Sequence, residues 1–194
     1  MCVRPTTTKS IELYKTEHAI LAQSFHVNSE KCENPAHFDD YIRLCALSDY
    51  RKGVATTHVM IERDNENNPL CICGFISLKA ATLITDEKKM YGVPAIEIAE
   101  LAVDKNYENS GVGKALLQFA ARTCDILRET IGNKYLLVCA ERHAVGFYKH
   151  VLPFVNANDY YRIPREIWND ECIPLYLILP EKTNEPSFIG LDDE

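Results

Sequence analysis

The chain predicts a mixed α/β (α+β) fold, a single domain built on one mixed sheet flanked by helices. Three observations predict it. The length, 194 residues, suits one domain or one domain with an elaboration. Apolar residues make up 46% and charged residues 25%, which excludes a chain too poor in apolar groups to build a core. Along the chain, strand-like runs alternate with helical stripes, with no internal repeat and no low-complexity block.

Ile11 to Tyr14 is the first strand candidate, and Thr16 to Phe25 suits a helix with Thr16 as N-cap. Pro35 to Leu47 reads as a second helix, because Phe38, Ile42 and Cys45/Ala46 recur at helical spacing. The polar stretch Asp49 to Gly53 turns the chain. Thr56 to Glu62 (TTHVMIE) is rich in β-branched residues and reads as a strand. DNENNP, from Asp64 to Pro69, is a turn, and Leu70 to Lys79 completes a hairpin.

Thr85 to Pro94 reads as a polar connection and Ile96 to Val103 (IEIAELAV) as a strand. A polar loop, Asp104 to Ser110, leads to Gly111-Val112-Gly113. From Lys114 the pattern turns helical: Leu116, Ala120, Cys124, Leu127 and Ile131 fall on one stripe. Gly132-Asn133 stops that helix. Lys134 to Ala140 (KYLLVCA) is a buried strand, Glu141 to Val151 a short helix, and Pro153 closes it. Asn156 to Pro174 carries Tyr160, Tyr161 and Trp168 without a period, and Leu175 to Leu179 is the last strand. Residues 1–180 are thus one domain, with 155–174 an extended loop in the last hairpin and 181–194 an acidic tail.

Lys+Arg total 21 and Asp+Glu 28, a formal net charge of −7, which disfavours a general nucleic-acid binder. No apolar run approaches the roughly 18 residues that span a bilayer, so no membrane partner is expected. Met1 to Ser10 has no apolar stretch of the secretory kind, so a cytoplasmic location is expected. The eight cysteines then read as reduced, small core residues; Cys71 and Cys73 share one strand face. No CxxC pair exists, and His26, His37, His58 and His143 lack metal-ligand spacing, so no metal is expected.

The segment Glu108-Asn109-Ser110-Gly111-Val112-Gly113-Lys114 lies between a strand and a helix. Two glycines let a ligand approach the backbone, and the first amides of the following helix can donate to an anion. The segment is neither a Walker A loop nor a complete GxGxxG, and alone it fits a tight turn as well as a ligand site.

In context the reading sharpens. LAVDKNYENSGVGKALL, then KYLLVCA, then Ala144-Val-Gly-Phe147-Tyr148, resembles the GNAT superfamily of acetyl-CoA-dependent N-acetyltransferases, with its [R/Q]xxGx[G/A] phosphate loop and Ala-x-x-Phe-Tyr pattern. The resemblance is close over about Ile96 to Phe154. It implies a mostly antiparallel sheet with splayed strands and an acetyl-CoA cosubstrate. It implies that the backbone of Leu101, Ala102 and Val103 holds the pantetheine arm. Amides from Glu108, Asn109, Gly111, Val112, Gly113 and Lys114 would hold the pyrophosphate. Tyr148 would protonate the leaving thiolate. Glu97 matches the catalytic base of one branch, and Glu100 competes with it, since a bulge common in this strand shifts which side chain faces the substrate. Glu108 stands where the family has Arg or Gln; a carboxylate repels phosphate, so it is expected to point to solvent and lend only its amide, with Lys105 and Lys114 offsetting its charge.

A narrower similarity exists. FDDYIRLCAL, RKGVATTHVMIE, CGFISL and VPAIEIAELAVD look like the acetylating toxins of bacterial toxin–antitoxin modules, which act on aminoacyl-tRNA. Glu100 replaces their usual Arg, the 156–174 segment is longer, and the −7 charge disfavours tRNA. The expected reaction is therefore acetylation of an unidentified primary amine. Toxin-like tRNA acetylation is the alternative, and a non-catalytic CoA-binding module the third reading. Tyr160, Tyr161 and Trp168 are left between a cover over the acceptor site, a homodimer contact and a packed loop.

Overall fold

The computed structural model describes residues 7–32, 34–86, 91–157 and 172–181. Within them lie β1 (Thr8–Leu13), β2 (Thr56–Arg63), β3 (Pro69–Asp86), β4 (Tyr91–Val103), β5 (Tyr135–Glu141), β6 (Val155–Asn156) and β7 (Cys172–Ile178). They form one sheet in the order β1-β2-β3-β4-β5-β7-β6. All neighbours are antiparallel except β4 and β5. A parallel pair needs a crossover, and α4 (Val112–Thr130) supplies it. The expected mixed, mostly antiparallel sheet is therefore present.

The helices divide between the two faces. On one, Tyr14, Phe25, Tyr41 and Ile42 pack on Val59, Ile61, Ile72, Phe75 and Ala102. These come from α1 (Ala19–Ala22), α2 (Pro35–Asp40), α3 (Ala46–Lys52) and the segments around them. On the other face α4 and α5 (Val145–Val151) close the larger core, which joins Leu116, Leu117, Ala120, Cys124 and Tyr148 to Ile76, Ile96, Ile98 and Val138.

Several boundaries differ from the sequence reading. The first helix opens as a 3₁₀ turn, Thr16–His18, with Lys15 rather than Thr16 at its cap. The ring Nδ1 of buried His18 accepts the Lys15 N–H at 3.1 Å, taking over the capping. The second helix runs past Leu47 through a π turn, Tyr41–Cys45, to Lys52, where Gly53 at φ 68° ends it. The expected polar connection at Thr85 to Pro94 is largely ladder, with Thr82 opposite Pro94 and Ile84 opposite Gly92. Backbone groups hold that pairing whatever the side chains. Helix α4 begins at Val112, two residues before Lys114, and its stripe ends early: Ile131 lies past the last turn and is 62% exposed.

Cys139 and Cys172 are joined in a disulfide across β5 and β7, which corrects the reading of all eight cysteines as reduced. The two strands run antiparallel with Cys139 opposite Pro174 and Cys172 opposite Glu141, so the ladder makes the two cysteines diagonal neighbours with Cα atoms 5.5 Å apart, which no spacing in the sequence reveals. Cys73 and Cys124 are buried thiols, as read. Tyr160, Tyr161, Trp168 and residues 182–194 of the acidic tail lie outside the described residues. Among the described residues no helix is long and apolar enough to cross a membrane.

Gly74 seats α4 on the sheet. A Cβ there would lie 2.8 Å from Val112 Cγ1 and 2.9 Å from the Ala102 carbonyl oxygen. Gly74→Ala is therefore expected to lower stability by about 1–3 kcal/mol, read as a reduced denaturant midpoint at unchanged slope.

Candidate active site

The site arises from one irregularity in β4. Ser77 of β3 faces Glu100, and the next residue, Leu78, faces Ile98, so Ala99 is an extra residue, a bulge. Pairing between β4 and β5 ends at Ile98 and Val138. Beyond that point the two strands part, and a cleft of ≈ 790 Å³ opens between them. In this stretch β4 is paired with β3 alone among the described residues, so the backbone groups of its other edge face the cleft. Leu101, Ala102 and Val103 form that wall. Such an edge can take an extended polar chain as an added strand.

The floor is the turn before α4. Asn109 at φ 58° and Gly111 at φ 86° bend the chain into the helix. The first helical bond runs from the Ala115 N–H to the Gly111 carbonyl at 3.0 Å. The amides of Val112, Gly113 and Lys114 precede it and have no carbonyl one turn back, the arrangement that binds anions. Glu108, Asn109, Gly111, Gly113 and Lys114 line the cleft, whereas the Val112 side chain is buried in the core. At Gly113 a Cβ would come within 3.3 Å of the Phe147 ring, so glycine keeps α4 and α5 close.

Glu108 does not point free into solvent, as expected from sequence; it is hydrogen-bonded to Lys31. Lys31 lines the cleft and supplies the charge that offsets Glu108, with Lys114 nearby, while Lys105 lies outside the lining. The loop bearing Lys31 is fixed from below. Buried Asp104 accepts the His26 N–H at 3.0 Å and the Asn106 N–H at 2.9 Å. The Lys105 N–H in turn donates to the His26 carbonyl at 2.8 Å.

Tyr148, on α5, lines the cleft and is 5% exposed. Phe147 and Phe154 hold its ring edge-to-face at 5.3 and 5.7 Å. Among the described residues nothing hydrogen-bonds its hydroxyl. Burial pushes its pKa up, and the carboxylates of Glu100 and Glu141 add to the rise. The group is a neutral O–H donor throughout the ordinary pH range.

The two acidic candidates separate. Glu100 lines the cleft with Tyr148, and its Oε1 lies 3.0 Å from His37 Nε2 on α2. Burial raises its pKa, and His37 opposes the rise. Glu97 is not among the cleft residues; its carboxylate is paired with Lys79 at 3.3 Å. In a regular strand two residues three apart face opposite ways. Here the bulge puts both on the face away from α4: Ile96, Ile98, Leu101 and Val103 point to the α4 core, and Ala102 to the opposite one.

Lys31, Cys32, His37 and Asp104 were missed in the sequence. Lys31, Cys32 and Asp104 sit in segments without a period and His37 lies off the apolar stripe of its helix; only the buried cap made by Asp104 had a local signature, an Asp two residues before an Asn.

Solved structures of other proteins share the fold, KacT and AtaT among them. A tyrosine-to-phenylalanine variant of KacT superposes with a TM-score of 0.67 at 14% identity, covering 88% of this chain and 95% of that one. A similar variant of the toxin AtaT, bound to the C-terminus of the antitoxin AtaR and acetyl-CoA, gives 0.66 at 16% identity, covering 88% and 93%. AtaT complexed with acetyl-methionyl-tRNAfMet gives 0.65 at 16%, covering 86% and 94%. Residues 18–152, more than half of the chain, match the model of the acetyltransferase (GNAT) family. The splayed strands, the free β4 edge and the amide turn belong to that match, and the chain is accordingly a member of the acetyltransferase (GNAT) family, an N-acetyltransferase whose acetyl donor is acetyl-CoA.

Proposed function

We propose that the chain transfers the acetyl group of acetyl-CoA to a primary amine by direct attack on the thioester. The observation that carries this reading is the convergence of Glu100 and Tyr148 on one cleft with the free β4 edge and the amide turn. Glu100, deprotonated, takes the proton of the attacking amine; its raised pKa makes it a stronger base than an exposed carboxylate. Tyr148 donates its proton to the departing thiolate. The amides of Val112, Gly113 and Lys114 would hold the pyrophosphate, and Leu101 to Val103 would hold the pantetheine arm. Glu100 and Glu141 line the cleft near Tyr148, which suits a cationic acceptor.

Calorimetric titration with acetyl-CoA is expected to give one saturable site. Thiol release should then accelerate with at least one member of a panel of polyamines, amino sugars, lysine peptides and aminoacyl-tRNA. Binding without turnover on the whole panel would instead favour a non-catalytic CoA-binding module. A second reading, acetylation of the amino group of aminoacyl-tRNA, is favoured by the likeness to AtaT in its complex with acetyl-methionyl-tRNAfMet. The net charge of −7 weighs against it. Turnover confined to the tRNA arm of the panel would decide for it.

A further inference from the structure

We propose that Glu62, Cys71 and Cys73, with the Tyr107 hydroxyl beside them, form a binding site for a zinc-class divalent cation on the β2–β3 ladder. The ligand atoms of Glu62, Cys71 and Cys73 all lie within 4.8 Å of one another. Cys71 Sγ is 3.9 Å from Glu62 Oε2 and 3.0 Å from Tyr107 Oη. The Tyr107 hydroxyl donates to the same Oε2. A tetrahedral zinc with bonds of about 2.0–2.3 Å has ligand–ligand edges of roughly 3.3–3.8 Å. The Cys71–Glu62 separation of 3.9 Å lies just above that range and no ligand pair exceeds 4.8 Å, so small side-chain rotations close the shell.

The ladder builds the cluster. Glu62 and Cys71 are direct cross-strand partners. A bulge follows, because Ile61 faces Ile72 while Met60 faces Gly74, leaving Cys73 as the extra residue. The thiol of Cys73 is fully buried, whereas Cys71 and Glu62 are half-buried and leave one side accessible. The Thr7 hydroxyl donates to Glu62 Oε1 at 2.8 Å, which leaves Oε2 directed at the thiols.

The donor set selects the ion. Two thiolates and a carboxylate suit a borderline-soft cation such as zinc and not magnesium or calcium. Together with a dication they leave one negative charge, and the Lys9 ammonium stands 4.8 Å from the centre of the Tyr107 ring. Spacing hid the cluster: Cys-x-Cys with a glutamate on the preceding strand is not a familiar zinc pattern.

The test titrates the reduced, metal-stripped full chain with cobalt(II), then with zinc. One equivalent of cobalt with thiolate-to-metal charge-transfer absorption, bleached by zinc, is expected. Cys71→Ser and Glu62→Gln should each weaken binding at least about tenfold, while Cys45→Ser, at an exposed thiol, should leave it unchanged. Should buried Cys73→Ser fail to fold, the other two variants carry the test. The proposal is overturned if no charge-transfer band appears, if Cys71→Ser and Glu62→Gln bind cobalt like the unaltered chain, or if Cys45→Ser abolishes binding.

Discussion

Tyr148→Phe is expected to lower kcat by about 10²–10⁴-fold, the usual worth of a positioned proton donor, with acetyl-CoA affinity unchanged by calorimetry. The substitution removes one oxygen and keeps the ring. The edge-to-face contacts with Phe147 and Phe154 remain, so α5 stays packed. The anion turn is built from backbone amides and gains or loses nothing. The hydroxyl is a good candidate for this loss because burial keeps it protonated, and the thiolate is the group that must receive a proton. A variant with undiminished kcat, or one that loses acetyl-CoA binding and kcat together, would remove Tyr148 from the role of acid.

Glu100→Gln is expected to cost about 10²-fold in kcat/KM, again the scale of a general base, and to change the pH profile. A base acts when deprotonated, so activity in the unaltered chain falls as pH drops through its pKa. Burial raises that pKa, so the acidic limb is expected above the ordinary carboxylate range. The glutamine variant should lack the limb. His37→Ala sharpens the sign. His37 pulls the Glu100 pKa down, through its charge and its hydrogen bond, so its removal should move the limb to higher pH. Glu97→Gln is the comparison: it breaks a partly exposed pair with Lys79, which is worth at most about 1 kcal/mol. A Glu97→Gln variant as impaired as Glu100→Gln would return the base assignment to Glu97.

The sequence exposed the sheet, the crossover and the amide turn because each rests on local chemistry. The α4 stripe, the β-branched hairpin and Gly111 with Gly113 are written within windows of a few residues. What stayed hidden joins distant segments. The Lys31–Glu108 pair spans 77 positions and His37–Glu100 spans 63, and no period connects such partners. The Cys139–Cys172 bond needs the β5–β7 register to be known. Glu97 and Glu100 share one face because of a bulge, and only Glu100 reaches the cleft. A single unpaired residue has no compositional mark, and Ala99 looks like any strand alanine.

That alanine sets the phase of the whole strand. The residues before it and the residues after it obey opposite parity: Ile96 and Ile98 turn to the α4 side, then Leu101 and Val103 do. Were Ala99 paired in register with no bulge, even-numbered parity would continue along the rest of β4. Glu100 would then be aimed into the apolar packing under α4, and Leu101 would stand toward His37 on α2. The bulge thus decides whether Glu100 faces the cleft or the apolar packing under α4. Deleting Ala99 outright would instead leave Glu100 and Leu101 on the faces they now hold, so it is the bulge, and not the length of the strand, that separates the two.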